Sequence, residues 1–137
     1  MRPWMACCCL AAVLAAGCGG SGPVTVTGAV TLDGKPVGAG NPGTIRFQPT
    51  DPAAGRPAEG FIADGRFEAK VFPGRYDVTV SWEKWPDKAT TRGKKPPPGY
   101  DEFPPEQLIP AKYTKAGTLT ADVSADKPQA DFSLVTK

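Results

Sequence analysis

Apolar and polar residues alternate along most of the chain beyond residue 23, as in a β-strand with one buried face. The strongest run places apolar side chains at Tyr76, Val78, Val80 and Trp82. In the first run, Gly28 leaves a gap on the apolar side. Runs of this kind predict about seven short strands, at residues 24–32, 44–48, 59–63, 67–71, 76–82, 119–123 and 130–134.

Turn-forming pairs separate these runs. Asp33-Gly34 and Asp64-Gly65 are typical of tight hairpin turns, and Pro73-Gly74 marks a third turn. No segment has convincing helical periodicity. Because each strand offers one apolar face, two sheets are needed to bury them. The pattern therefore predicts an all-β fold, an antiparallel β-sandwich, and the missing Cys–Trp–Cys core disfavours the immunoglobulin type.

Several stretches of the chain resemble one known family. Residues 28–37 look like the opening of the carboxypeptidase regulatory-like domain, a transthyretin-like (prealbumin-like) sandwich. Residues 63–67 are similar to its central hairpin, and residues 73–80 to its next turn and strand. Residues 108–113 and 131–134 resemble small exported lipoproteins of planctomycete-type bacteria that carry this domain. The resemblance implies a seven-stranded antiparallel Greek-key sandwich that is not catalytic, and it carries over no functional residues.

Composition excludes several classes of function. The net charge is only +2, which argues against a nucleic-acid-binding face. Histidine is absent, which excludes Ser-His-Asp triads and the usual imidazole zinc sites. Loop aspartates are scattered singly and are more typical of turns than of calcium loops. Residues 38–43 have dinucleotide-loop spacing, but a strand follows them instead of a helix. We therefore predict no catalytic residues, no metal and no cofactor.

Residues 1–17 have the three parts of a secretory signal peptide. Arg2 is the only charged residue among the first 32, and an apolar run of about 12 residues precedes a small-residue boundary. A membrane-spanning helix needs roughly 20 residues, so the run is a signal and not a span. Residues 14–18, Leu-Ala-Ala-Gly-Cys, resemble the bacterial lipobox, whose cysteine is lipidated, exposed by cleavage and N-acylated.

Cys18 is the expected lipid attachment site. The folded body contains no cysteine for a disulfide framework, and Cys7, Cys8 and Cys9 are too close along the chain to converge on one metal ion. Acyl chains on Cys18 would hold the protein at a membrane. The alternative is an ordinary secreted protein with an incidental cysteine. We predict a signal peptide at residues 1–17, a flexible Gly/Ser tether at 18–23 and a β-sandwich domain at 24–137.

Residues 83–107 form a long proline-rich loop with two open interpretations. Pro96-Pro97-Pro98 favours an extended stretch that cannot join a central sheet. In the first interpretation, the aromatic rings of the loop stack on sugars or on a partner protein, with cations at the rim. In the second, Trp82 faces the core, Trp85 and Tyr100 cover a sheet edge, and the lysines are solvated. The candidate partner-binding residues are Trp85, Tyr100, Phe103, Lys94 and Lys95.

The predicted function is that of a non-catalytic exported lipoprotein. It is a membrane-anchored binding or structural module at the cell envelope, facing the periplasm or the cell exterior, with an envelope protein or glycan as partner. One alternative is a small glycoside-acting enzyme with an Asp/Glu pair, although the chain leaves little room for a walled cleft. Another is a carrier of a small apolar ligand, an expectation that rests on analogy of fold.

Overall fold

The computed structural model describes residues 22–53 and 55–137. The predicted signal peptide, Cys18 and most of the predicted tether lie outside these residues. The described chain forms ten strands and one helical turn. In chain order these are β1 (Val24–Leu32), β2 (Lys35–Pro36), β3 (Gly43–Pro49), β4 (Ala58–Ala63), β5 (Arg66–Val71), β6 (Gly74–Ser81), β7 (Glu83–Lys84), α1 (Lys88–Thr91), β8 (Glu106–Gln107), β9 (Leu119–Val123) and β10 (Phe132–Leu134).

Eight of these strands form one curled sheet in the order β10-β1-β5-β4-β3-β6-β9, with β2 paired to β1. Among the described strands every pairing is antiparallel except that of β1 with β10. The all-β, mainly antiparallel class predicted from the alternation is confirmed. The parallel pairing departs from the prediction because the Thr27 backbone bonds to Pro128 and Ala130, which brings the C-terminal segment in alongside β1.

Two Asp-Gly turns occur where the sequence places them. Asp33 and Gly34 connect β1 to β2 with φ values of 50° and 81°, and Asp64 and Gly65 connect β4 to β5 with φ values of 49° and 77°. A type I′ hairpin turn requires positive φ at both central residues, and glycine and aspartate tolerate this conformation better than most residues. The hairpin prediction at Asp64-Gly65 is therefore confirmed.

The core lies on the inner face of the curled sheet. Phe47 is fully buried, with its ring centroid 6.0 Å from that of Phe67 and 6.1 Å from that of Tyr76. The Tyr76 hydroxyl donates a hydrogen bond to the Phe72 carbonyl at 2.8 Å, and burial raises the pKa of Tyr76. The remaining fully buried side chains are that of Val37, just after β2, and those at alternate strand positions: Val26, Val30, Ile45, Ile62, Val71, Val78, Val80 and Leu134.

Gly28 is the predicted gap on the apolar side of β1, and the structure explains it. A Cβ atom at Gly28 would lie 1.7 Å from the Ala130 carbonyl oxygen and 2.8 Å from the Phe67 ring. The segment that precedes β10 and the ring of β5 therefore both occupy the space that a side chain would need. Only glycine allows this close backbone approach.

The predicted loop at residues 83–107 is closed at its base. Glu83 pairs with Gln107 and Lys84 with Glu106, which makes β7 and β8 a small sheet of their own. Inside the loop, Lys88–Thr91 form a single helical turn. The alternation did not predict β2, β7 or β8, because a two-residue strand is too short to show a period.

Candidate functional site

The outer face of the main sheet carries polar side chains from β3, β4 and β6 in register. Arg46 of β3 lies opposite Glu59 of β4 on one side and Thr79 of β6 on the other. Two residues earlier in β3, Thr44 lies opposite Ser81. Residues directly opposite in adjacent strands share a face, as do residues two apart in one strand. These five side chains therefore form one continuous polar surface.

This surface is the floor of an open groove of about 530 Å³, which we call the sheet groove. Its volume falls within the range of about 300–1,000 Å³ that is usual for ligand pockets. The segment before β3 contributes to it, as does the start of the proline-rich loop, so its walls come from parts of the chain far apart in sequence. Its lining residues are Asn41, Pro42, Thr44, Arg46, Glu59, Thr79, Ser81, Glu83 and Trp85.

An exposed ion pair crosses the groove floor. Arg46 Nη2 lies 3.3 Å from Glu59 Oε2, and the two side chains are 61% and 47% exposed. A second pair on the sheet, Arg75 with Asp122, has a 3.1 Å contact and similar exposure, but neither residue lines the groove. Exposed pairs of this kind add only about 0.2–1 kcal/mol to stability. Neither pair is therefore needed to hold the fold together.

Gln107 and Trp82 hold the base of the proline-rich loop beside the groove. The Gln107 amide nitrogen donates to Ser81 Oγ at 2.9 Å, and its carbonyl oxygen accepts from the Trp82 backbone N–H at 2.9 Å. The Trp82 indole N–H donates to the Asn41 carbonyl at 2.9 Å, and its side chain packs against the core. These contacts tie both walls of the groove to the end of β6.

The loop has a cleft of its own, of about 430 Å³, which we call the loop cleft. Trp85 lines both the loop cleft and the sheet groove, so it lies between them. Trp85 is 60% exposed and keeps most of its surface available for contact. The loop cleft is lined by Trp85, Pro86, Lys88, Thr91, Lys94, Pro96, Asp101, Glu102 and Phe103.

The structure brings together only some of the candidate loop residues. Trp85, Phe103 and Lys94 line the loop cleft, whereas Tyr100 and Lys95 are exposed and do not line it. Tyr100 is 58% exposed, close to the value for Trp85. Trp82 packs against the core, as the edge-covering interpretation expects, but Trp85 and Tyr100 keep most of their surface in solvent.

Sequence reasoning missed the groove floor. Thr44, Arg46, Glu59, Thr79 and Ser81 all occupy the polar half of an alternating strand, which indicates exposure and nothing more. Their convergence depends on the strand order β4-β3-β6, which the alternation does not contain. One signal was available in the sequence: Arg46 and Glu59 have opposite charges and lie in consecutive alternating runs, which is typical of paired strands.

The chemistry of the groove is that of hydrogen bonding beside an aromatic ring. It presents hydroxyl groups, one guanidinium and two carboxylates, those of Glu59 and Glu83. In the described part of the chain, no group of three or more His, Cys, Asp or Glu residues is placed to hold a metal ion. Within residues 22–53 and 55–137, no helix is long and apolar enough to cross a membrane.

Searches against protein-family models, curated proteins and solved structures find no match to this chain. The functional assignment therefore depends on the sequence and on the site geometry alone.

Proposed function

We propose that this protein is a non-catalytic exported lipoprotein, anchored to a membrane through Cys18, and that its folded domain is a binding module at the cell envelope. The signal-like residues 1–17 and the lipobox-like residues 14–18 support the anchor. The proposal includes a Greek-key, transthyretin-like sandwich as the fold. The support for it is the order of the resembling stretches and the curled, mainly antiparallel sheet.

The observation that carries the binding role is the sheet groove. It combines a floor of polar side chains with a wall formed by Trp85, a large ring that is 60% exposed. Binding sites commonly place a few convergent polar groups beside apolar or aromatic surface, and exposed aromatic rings are typical anchors for partners. In this proposal the loop supplies one wall of the site, and the sheet supplies the floor.

The anchor is tested by Cys18→Ala in the full chain, expressed in a bacterium with the lipoprotein pathway. The expected result is loss of the protein from the membrane fraction, because the acyl chains contribute about 0.8 kcal/mol for each buried CH₂. The wild-type protein should begin at Cys18 and carry acyl mass in mass spectrometry. A mature protein that begins elsewhere, without acyl mass, contradicts the anchor.

The binding role is tested by crosslinking in intact cells. A photoreactive residue replaces Thr79 on the groove floor, and the control replaces Thr120, an exposed residue of β9 outside the groove. We expect an envelope component to be captured from position 79 and not from position 120. Equal capture at both positions contradicts the site. Turnover of a chromogenic glycoside that Glu83→Gln abolishes would overturn the non-catalytic assignment.

A further inference from the structure

We infer that the sheet groove binds a neutral, hydroxyl-rich saccharide chain, with one sugar ring stacked on Trp85 and sugar hydroxyls bonded to Arg46 and Glu59. This inference rests on the proposed binding function, since it names the ligand class for the same groove. Four observations carry it: the exposed Trp85 ring, the alternation of donors and acceptors on the floor, the charges of the lining, and a second exposed ring beside the groove.

The Trp85 wall and the polar floor match the two kinds of surface on a sugar. A pyranose ring presents C–H groups on its faces, which pack on an aromatic ring, and hydroxyl groups around its edge. Trp85 is 60% exposed, so a sugar ring can pack against it. Thr44, Thr79 and Ser81 contribute hydroxyls that both donate and accept hydrogen bonds. Ser81 Oγ already accepts from Gln107, which orients it and leaves its O–H free to donate.

The ion pair on the floor fits a pair of neighbouring sugar hydroxyls. Arg46 is a donor only and the ionised Glu59 an acceptor only, and their polar atoms lie 3.3 Å apart. Adjacent hydroxyls on a sugar ring can therefore accept from one and donate to the other. Hydrogen bonds in which one partner is ionised are roughly twice as strong as those between neutral groups. Because the pair is already solvated, a ligand replaces water and no buried charge is uncovered.

The charges of the groove favour a neutral ligand. The lining contains one cation, Arg46, and two anions, Glu59 and Glu83. A polyanion such as an acidic polysaccharide or a nucleic acid would meet like charges there, and juxtaposed like charges oppose binding. A neutral saccharide has no such cost. The cations Lys88 and Lys94 line the loop cleft and do not line the sheet groove.

A second exposed ring lies next to the groove floor. Phe61 of β4 is directly opposite Thr44 of β3 and is 72% exposed, although its neighbours on this face are mostly polar. Phe61 is two strands away from Ser81, which is roughly 10 Å at the usual inter-strand spacing. A chain of sugars that crosses the groove floor from Ser81 past Thr44 would therefore meet Phe61. This geometry favours an oligosaccharide over a single sugar.

The test measures binding of the full chain, purified in detergent, by isothermal titration calorimetry. The probes are neutral oligomers of β-glucan, α-glucan, mannan and N-acetylglucosamine, with heparin and polygalacturonate as anionic probes. We expect at least one neutral oligomer to bind and both polyanions to bind more weakly or not at all. Absence of binding by every neutral oligomer, or tighter binding of a polyanion, overturns the inference.

Matched variants localise the site. Trp85→Ala and Arg46→Ala should each weaken binding about tenfold or more, which corresponds to about 1.4 kcal/mol. The controls are Tyr100→Ala, a ring of similar exposure, and Arg75→Ala, an ion-paired arginine outside the groove. Both controls should bind like the wild type. If Trp85→Ala disturbs the loop, Thr44→Val removes a floor hydroxyl on β3 without changing the loop, and it should also weaken binding.

Failure of this inference can be told apart from failure of the proposed function. If position 79 captures an envelope protein in cells and neutral oligomers do not compete, the binding function stands and the saccharide inference is wrong. If position 79 captures nothing and the chain turns over a glycoside, both are wrong. If a neutral oligomer binds and competes with capture, both are supported.

Discussion

The two faces of β3 show how one strand serves two purposes. Ile45 and Phe47 point inward and are fully buried, whereas Thr44 and Arg46 point outward into the sheet groove. The inner face holds the molecule together by removing apolar surface from water, and this term dominates the stability of small domains. The outer face contributes little to stability and forms the candidate site. Changes on the two faces should therefore affect different properties.

The largest expected effect comes from the same substitution made on each face. Phe47→Ala removes a fully buried ring that contacts Phe67 and Tyr76, so unfolding free energy should fall by about 3–5 kcal/mol. Phe61→Ala, on the next strand, removes a ring that is 72% exposed, so it should change the unfolding free energy by about 0.5 kcal/mol or less. Urea unfolding of both variants measures the difference. Similar losses in the two variants would show that the faces are not energetically distinct.

The next largest effect is expected from Gly28→Ala, which tests the crowding of the inner face. The new methyl group would meet the Ala130 carbonyl, so either β1 or the segment before β10 must move. We expect a loss of about 1–3 kcal/mol, the usual cost of overpacking a closely packed site. Thermal unfolding followed by circular dichroism is a suitable measurement.

Gly34→Asn is the control for Gly28→Ala. Gly34 has a φ of 81°, and no atom lies within 4 Å of the position that a Cβ would occupy there. Asparagine tolerates this backbone conformation, so the change should cost less than about 1 kcal/mol. Gly28 itself does not have a positive φ, so its expected loss comes from the contact with Ala130. A loss at position 28 no larger than that at position 34 would contradict the crowding at Gly28.

Much of this inner face could be predicted from the sequence, because alternation is a local property. The runs around Ile45, Val78 and Ala121 form β3, β6 and β9, with most of the predicted apolar residues buried. The Asp64-Gly65 turn followed from the φ values that its residues tolerate. The parallel pairing of β1 with β10 could not be predicted, since it joins segments far apart in the chain.

The site was harder to predict than the fold, because it depends on which strands are neighbours. Arg46 and Glu59 look like ordinary exposed residues until β3 is placed beside β4. The composition of the loop points to Trp85, and the structure places that residue at the groove. The same composition points to Tyr100 and Lys95, which do not line the groove or the loop cleft. Residue type selects candidates, and strand order decides which of them converge.

A smaller effect is expected from the two exposed ion pairs on the sheet. Arg46→Ala and Arg75→Ala each break one pair of similar geometry, and each should lower unfolding free energy by about 1 kcal/mol or less. Equal stability in the two variants, combined with a binding defect in Arg46→Ala alone, would separate function from stability on the outer face. A loss above about 2 kcal/mol for Arg46→Ala would contradict this division, because exposed pairs do not contribute that much.

The smallest expected effect is local and depends on pH. Asp33, an exposed turn residue, accepts hydrogen bonds from the Thr136 hydroxyl at 2.8 Å and from its backbone N–H at 3.1 Å, and these bonds lower the pKa of the Asp33 carboxyl. The pKa of Asp33 is lower in the folded state than in the unfolded state. The contribution of its bonds with Thr136 to stability is therefore complete above the ordinary carboxyl pKa, and it is lost as pH falls through the lowered value. In nuclear magnetic resonance, the chemical shift of the Thr136 amide should change over that acidic pH range. The chemical shift of the Val135 amide, which donates to the Tyr113 hydroxyl, should not change in the same way. The substitution Asp33→Asn should abolish the pH dependence at Thr136. Movement of Thr136 that persists in Asp33→Asn would assign the transition to another group.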